Sequence, residues 1–130
     1  MKNKILLTLL AIIFIGVTNM ANAQEQTYSE VFNKVNSPAD VKKLSVEEMN
    51  ILSSDIRKAI LNKVDTIGGH LGPDLGIVEA TIAMHYVFNS PKDKFIFDVS
   101  HQIYPHKILT GRKDAFVNPF AHPEISGYSN

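Results

Sequence analysis

Apolar positions beyond residue 45 recur at the period of a helix. Met49, Leu52, Ile56, Ile60 and Val64 follow at steps of three and four, lining one face of a helix that runs to about Asp65. Ser45-Val46-Glu47-Glu48 precedes it as a capping box, with the Ser45 hydroxyl placed to accept from the Glu48 amide. Gly68-Gly69 closes it, because glycine tolerates the left-handed conformation of a helix end. A shorter helix should begin at Ser37-Pro38, a cap residue followed by proline at the first helical position. Residues 75–88 read as a second long helix. Leu75, Val78, Ile82 and Tyr86 line one side and Ile77, Thr81, Met84 and Phe88 another, so burial between layers is expected.

The period then changes. Phe95-Ile96-Phe97-Asp98-Val99 is a short apolar run rich in aromatic and β-branched residues, which predicts a buried strand over 95–99. Residues 104–110 suggest a short helix ended by Gly111, and residues 116–130 a loop. Residues 24–35 are polar with scattered Tyr28, Val31 and Phe32, a linker or loose short helix. A lone strand cannot satisfy its own backbone donors and acceptors. The pattern is therefore mostly helical as present and fits the opening of an α/β domain.

The first 23 residues differ from the rest. Lys2 and Lys4 precede an apolar stretch over 5–17, and Ala21-Asn22-Ala23 offers small residues at a cleavage position, so 1–23 reads as an export signal. An uncleaved anchor is the alternative, although a 13-residue stretch, broken only by Thr8 and Gly16, falls short of the roughly 20 that span a bilayer. The expected organisation is a signal peptide at 1–23, a linker at 24–36 and a domain at 37–130, with an exported or periplasmic location.

Composition narrows the chemistry. The 130 residues carry 13 basic and 13 acidic side chains and no Cys. That excludes a disulfide scaffold and a thiolate metal site, and it argues against nucleic acid as a partner. Histidine is the remaining signal. His70 follows a helix end within Gly68-Gly69-His70-Leu71-Gly72-Pro73, where missing side chains permit a ligand to approach. His101 lies just past the expected strand, where open α/β sheets place ligand-binding residues. Imidazoles there can move protons near neutral pH, or each can simply cap a turn or bond a carbonyl. His85, inside the second helix, and His122, in the tail, read as structural. Asp98, His101 and His106 could offer a metal carboxylate and imidazole, but a five-residue step does not put both rings on one helical face. No metal ligand is assigned. The 68–76 loop matches neither a phosphate loop nor a dinucleotide fingerprint.

Ser37-Pro38-Ala39-Asp40, Leu44-Ser45-Val46-Glu47-Glu48, Gly68-Gly69-His70-Leu71-Gly72-Pro73-Asp74-Leu75-Gly76 and Asp98-Val99-Ser100-His101-Gln102-Ile103-Tyr104-Pro105-His106-Lys107-Ile108-Leu109-Thr110-Gly111-Arg112 together closely resemble the 1-deoxy-D-xylulose-5-phosphate synthase family. The similarity runs in unbroken register over about residues 37–116. It implies a thiamine-diphosphate-dependent, transketolase-type enzyme that condenses pyruvate with glyceraldehyde 3-phosphate for isoprenoid and thiamine synthesis. By this resemblance His70 is the catalytic histidine near the reacting substrate, and His101 contacts the cofactor. Thiamine diphosphate and Mg2+ are the implied cofactors, a homodimer the implied assembly and the cytoplasm the family's usual location.

Three departures accompany the match. Ser100 stands where the family most often has Gly. The apparent export signal conflicts with a cytoplasmic enzyme. The family's Gly-His-Ser loop, its metal- and diphosphate-holding segment and its pyrimidine-binding domain find no counterpart before Asn130. Residues 37–130 are thus expected to be a partial thiamine-diphosphate-binding domain, inactive as this chain alone. The alternatives are an exported, non-enzymatic binding protein that reuses the family's helices, or a subunit whose missing strands come from a second chain.

Overall fold

The computed structural model describes residues 27–129. The expected export signal at 1–23 lies outside them. In chain order the helices are α1 (Glu30–Lys34), α2 (Pro38–Val41), α3 (Val46–Ile67), α4 (Gly72–Gly76), α5 (Val78–Val87), α6 (Tyr104–Lys107) and α7 (Asp114–Val117). A π-helical turn, Ile108–Arg112, links α6 to α7, and a 3-10 turn, Pro119–Ala121, follows α7.

Helix α3 forms as its pattern predicts. Its capping box is closed in both directions: Ser45 N–H donates to Glu48 Oε2 at 2.9 Å, and Glu48 N–H to Ser45 Oγ at 3.2 Å. Leu52, Ile56 and Ile60 are fully buried, with Met49 and Val64 partly so. Gly68 ends the helix at φ 82°. Helices α1, α5 and α7 pack around this stripe. Helix α1 lies in the stretch expected as a linker or loose short helix, and it is docked. Ser29 caps it, Asp55 of α3 accepts from Ser29 N–H at 3.0 Å, and Phe32 sits in the core. Lys113 fastens it from the far end of the chain, donating to the carbonyls of Phe32 and Val35 at 2.8 and 2.9 Å.

Two expectations need correction. The second long helix is divided at Ile77 (φ −111°, ψ 4°) into α4 and α5, and α5 is buried on one face only. Val78, Thr81, Ile82 and His85 point inward against α2 and α3, whereas Tyr86, Val87 and Phe88 are exposed. Apolar residues on both sides of α5 therefore do not mean two covered faces among the described residues.

The second correction concerns the expected core strand at 95–99. No strand forms among the described residues. Residues 94–97 are an irregular arm whose Phe95 and Phe97 turn inward while Ile96 is 96% exposed. A strand needs a neighbour to take up its backbone groups, and none is present among the described residues. Val99 and Ser100 then adopt φ 58° and 67°, which ends any extended run. Ser100 occupies a conformation that glycine adopts without strain, a physical reason for glycine at this position. The described part is helical, and the α/β architecture expected from the pattern is not seen in it.

Phe95 and Phe97 fold over a pair of imidazoles joining α5 to α6. His85 Nε2 and His106 Nδ1 are 2.9 Å apart, with the rings stacked at 22°. Phe95 meets the His85 ring edge-on at 5.0 Å. Burial holds His85 down at about 4, aided by His106 and Lys42, and holds His106 at about 4, aided by Arg112. No helix among the described residues is long and apolar enough to cross a membrane.

Leu52→Ala should lower the unfolding free energy by about 2–5 kcal/mol in urea titration, while Ile96→Ala should change it by less than about 0.5 kcal/mol. The imidazole pair sets a pH dependence. The unfolded chain binds these protons more readily, so the pair's contribution is complete above about pH 6.5 and is lost as pH falls toward 4. Urea midpoints should accordingly fall further over that window in the native chain than in His106→Gln.

Candidate active site

Two turns that share no regular structure bring the candidate histidines together. After α3, Gly68 and Gly69 take φ 82° and 145° and turn the chain so that His70 faces the end of the molecule where α6 begins. From the other direction, the positive φ angles of Val99 and Ser100 reverse the arm and deliver His101 three residues before Tyr104. The rings of His70 and His101 lie 5.9 Å apart, nearly perpendicular. Nδ1 of each is buried and bonded to no protein atom. A buried polar atom without a partner is costly, so these two nitrogens on neighbouring rings stand out among the described residues.

Beside His70 opens a cleft of about 310 Å³, lined by Lys63, Gly68, Gly69, Tyr104, Ile125 and Tyr128 among others. The Tyr128 ring meets His70 edge-on at 4.8 Å, and the Tyr104 ring lies at 6.5 Å. Close backbone approach shapes the cleft. A Cβ on Gly127 would come within 3.0 Å of both His70 Nδ1 and the Tyr104 hydroxyl. One on Gly69 would run into that hydroxyl. Ser100 Oγ meets Ser129 Oγ at 2.9 Å, which holds the tail beside the His101 turn.

Buried charge surrounds this arrangement. Asp74 is wholly buried, and its Oδ1 accepts from Tyr104 N–H at 2.8 Å. Burial pushes its carboxyl up to about 7, against the Tyr104 hydrogen bond and the charge of Lys107. Lys107, also wholly buried, donates to the carbonyls of Ser126 and Tyr128 at 2.8 and 2.6 Å and so ties down the tail. Burial draws its ammonium down to about 8, with Arg112 and Lys63 acting in the same direction and Asp74 opposing. Lys63 is lowered by burial as well, and it donates to Ala115 O at 3.2 Å over the Phe116 ring.

The structure thus brings His70 and His101 together and separates them from the other histidines. His106 pairs with His85. His122 sits at the surface between Asp114 at 2.6 Å and Glu124 at 3.1 Å, where their hydrogen bonds raise its pKa. Asp98, His101 and His106 do not form a metal cage, and no group of three or more potential ligands does so among the described residues. Asp74, Tyr104 and Lys107 are the site's unforeseen members. Lys107 had a visible signal: it stands three residues after Tyr104 and four after Ile103, on the stripe that α6 buries. Asp74 had none, because an acid after Gly-Pro reads as an ordinary first-turn residue.

Gly69→Ala should cost about 1–3 kcal/mol through the forced contact with Tyr104. Adding Tyr104→Phe, which removes the clashing oxygen, should recover part of that loss in a double-mutant cycle measured by denaturation.

Residues 32–130 match the family model described as 1-deoxy-D-xylulose-5-phosphate synthase. Among similar proteins of that name, one from Methylacidiphilum infernorum is 50% identical over 99 residues, covering 76% of this chain and 16% of its own. Another, from Halothermothrix orenii, is 52% identical over 98 residues, covering 75% and 15%. A third, from Acidobacterium capsulatum, is 54% identical over 86 residues, covering 66% and 14%. The chain spans about a sixth of the length of the curated relatives it matches.

Proposed function

The chain belongs to the 1-deoxy-D-xylulose-5-phosphate synthase family, and from that premise we propose that residues 37–130 form part of the thiamine-diphosphate-binding domain of such an enzyme. The reaction is the condensation of pyruvate with glyceraldehyde 3-phosphate. In it His70 holds or delivers a proton beside the reacting substrate, and His101 offers its ring nitrogen to the cofactor. The observation that carries this reading is the pair of buried, unpartnered Nδ1 atoms on rings 5.9 Å apart.

The residues present suit part of the cofactor's needs. Unpartnered imidazole nitrogens fit a polar ligand, and Gly68 and Gly69 bring no side chain to the approach of His70. Thiamine diphosphate, when bound, supplies the nucleophilic carbon chemistry, which leaves the protein to bind, orient and move protons. By the family resemblance, Mg2+ and the diphosphate are held by other segments in this reading. The 130 residues alone are then inactive. The bare edge of the arm at 94–97 and the exposed Ile96 suit cover by further polypeptide, whether from the same chain or from the second subunit of a homodimer. A non-enzymatic reuse of these helices would have no need for two unsatisfied imidazoles in one place.

A chimera tests the assignment. Residues 32–130 of this chain replace the matching segment of the Methylacidiphilum infernorum synthase, and turnover of pyruvate with glyceraldehyde 3-phosphate is followed. The chimera should be active, while the unfused chain should show no turnover with thiamine diphosphate and Mg2+. In the chimera His70→Ala should lower kcat by about 10²–10⁴-fold, the range for a lost proton-transfer group. His101→Ala should instead weaken cofactor binding, read by titration of protein fluorescence. A folded chimera without activity, or one indifferent to His70→Ala, would overturn the reading.

A further inference from the structure

We propose that Asp74 is a positioning residue, whose carboxylate ties the loop carrying His70 to the helix that follows His101 and so sets the separation of the two imidazoles. The inference rests on the reading of His70 and His101 as the working pair, and it adds a group that touches neither.

The argument begins at the start of α6. Tyr104 is its first residue, and the amide of a first-turn residue has no acceptor within the helix. A side chain at the cap position, here the buried Ile103, reaches the second or third helical amide and not the first, so no local cap serves Tyr104. Asp74 satisfies it from thirty residues away, with Oδ1 at 2.8 Å from the Tyr104 nitrogen. This bond joins two segments that share no strand or helix, four residues after His70 in one and three residues after His101 in the other.

Its effect reaches His70 by a second route. The Tyr104 backbone held by Asp74 projects a ring under the His70 turn, with its hydroxyl against Gly69 and Gly127 and its face edge-on to Phe116 at 5.2 Å. The Tyr104 amide and the Tyr104 ring therefore lock the His70 loop at two points. The burial is not what packing alone would select. Asp74 is wholly buried, its Oδ2 has no hydrogen-bond partner, and Lys107, one turn along α6 from Tyr104, supplies the opposing charge. An apolar residue of similar size would avoid this cost if stability were its only role.

Nuclear magnetic resonance of the 130-residue chain tests the proposal by geometry. In the unaltered chain a scalar coupling across the hydrogen bond should link the Tyr104 amide nitrogen to the Asp74 carboxyl carbon, with the Ser29–Asp55 bond as control in the same spectrum. Asp74→Ala should abolish the cross-peaks between the His70 and His101 rings while leaving α3 and the His85–His106 pair unshifted. Asp74→Asn keeps an acceptor oxygen and should restore those cross-peaks. Ring cross-peaks that persist in a folded Asp74→Ala chain would overturn the proposal, as would failure of Asp74→Asn to restore them. Should Asp74→Ala not fold, a missing Tyr104–Asp74 coupling beside a visible Ser29–Asp55 coupling overturns it equally. These readouts are independent of turnover, so failure of the synthase reading would appear in the chimera and failure of this one in the spectra.

Discussion

Removal of one stripe of α3 from water is the constraint on which the rest of the structure depends. Isolated helices of fewer than about 12 residues are marginal in water, and every helix here except α3 is shorter than that. Helices α1, α2, α4, α6 and α7 have only one turn or little more. They persist because Phe32, Val41, Tyr104 and Phe116 share one buried core with Leu52, Ile56 and Ile60, and Leu75 of α4 packs against it. The histidine turns stand on this arrangement. His70 leaves from the end of α3 itself, and His101 is held by the turn before α6, so the distance between them is inherited from how α6 seats against α3.

Lysine does unusual work in a chain with so much irregular backbone. Where a sheet would satisfy carbonyls by strand pairing, Lys63, Lys107 and Lys113 collect them one by one. Lys63 takes Ala115, Lys107 takes Ser126 and Tyr128, and Lys113 takes Phe32 and Val35. Each ammonium is drawn down by burial yet retains several donors on a flexible stem, which suits carbonyls at irregular angles. The tail that closes over His70 is in this sense a lysine-bound tail. Its path follows from the ammonium of Lys107 on α6, and the residues in it are mostly small or exposed.

What was legible in the sequence follows the range of the interactions. Helix α3, its capping box and its glycine stop are written in contacts three or four residues apart, and they appear as expected. The family resemblance, carried by contiguous motifs, is matched over residues 32–130. The joining of His70 to His101 was implied by that resemblance and has no local signature. The strand expected at 95–99 does not form, because an apolar run specifies its own tendency and says nothing about whether neighbours are present. Helix α5 differs from its pattern for a related reason: its two apolar sides are visible in the sequence, but what covers each side is not. The role of Asp74 has no local signature, since the amide that it satisfies belongs to a residue thirty positions away.

The arm at 94–97 has one more consequence, for how copies of the chain meet. Its apolar core, Phe95-Ile96-Phe97, is bracketed by Lys94 and Asp98, both exposed. Charges flanking a short apolar run act as gatekeepers against cross-β stacking. In-register parallel stacking would set Lys94 on Lys94 and Asp98 on Asp98 in every layer, which repels. An antiparallel encounter centred on Ile96 would instead set each Lys94 against an Asp98. The bracketing charges thus oppose in-register parallel stacking and favour the antiparallel arrangement, by an attraction that salt weakens.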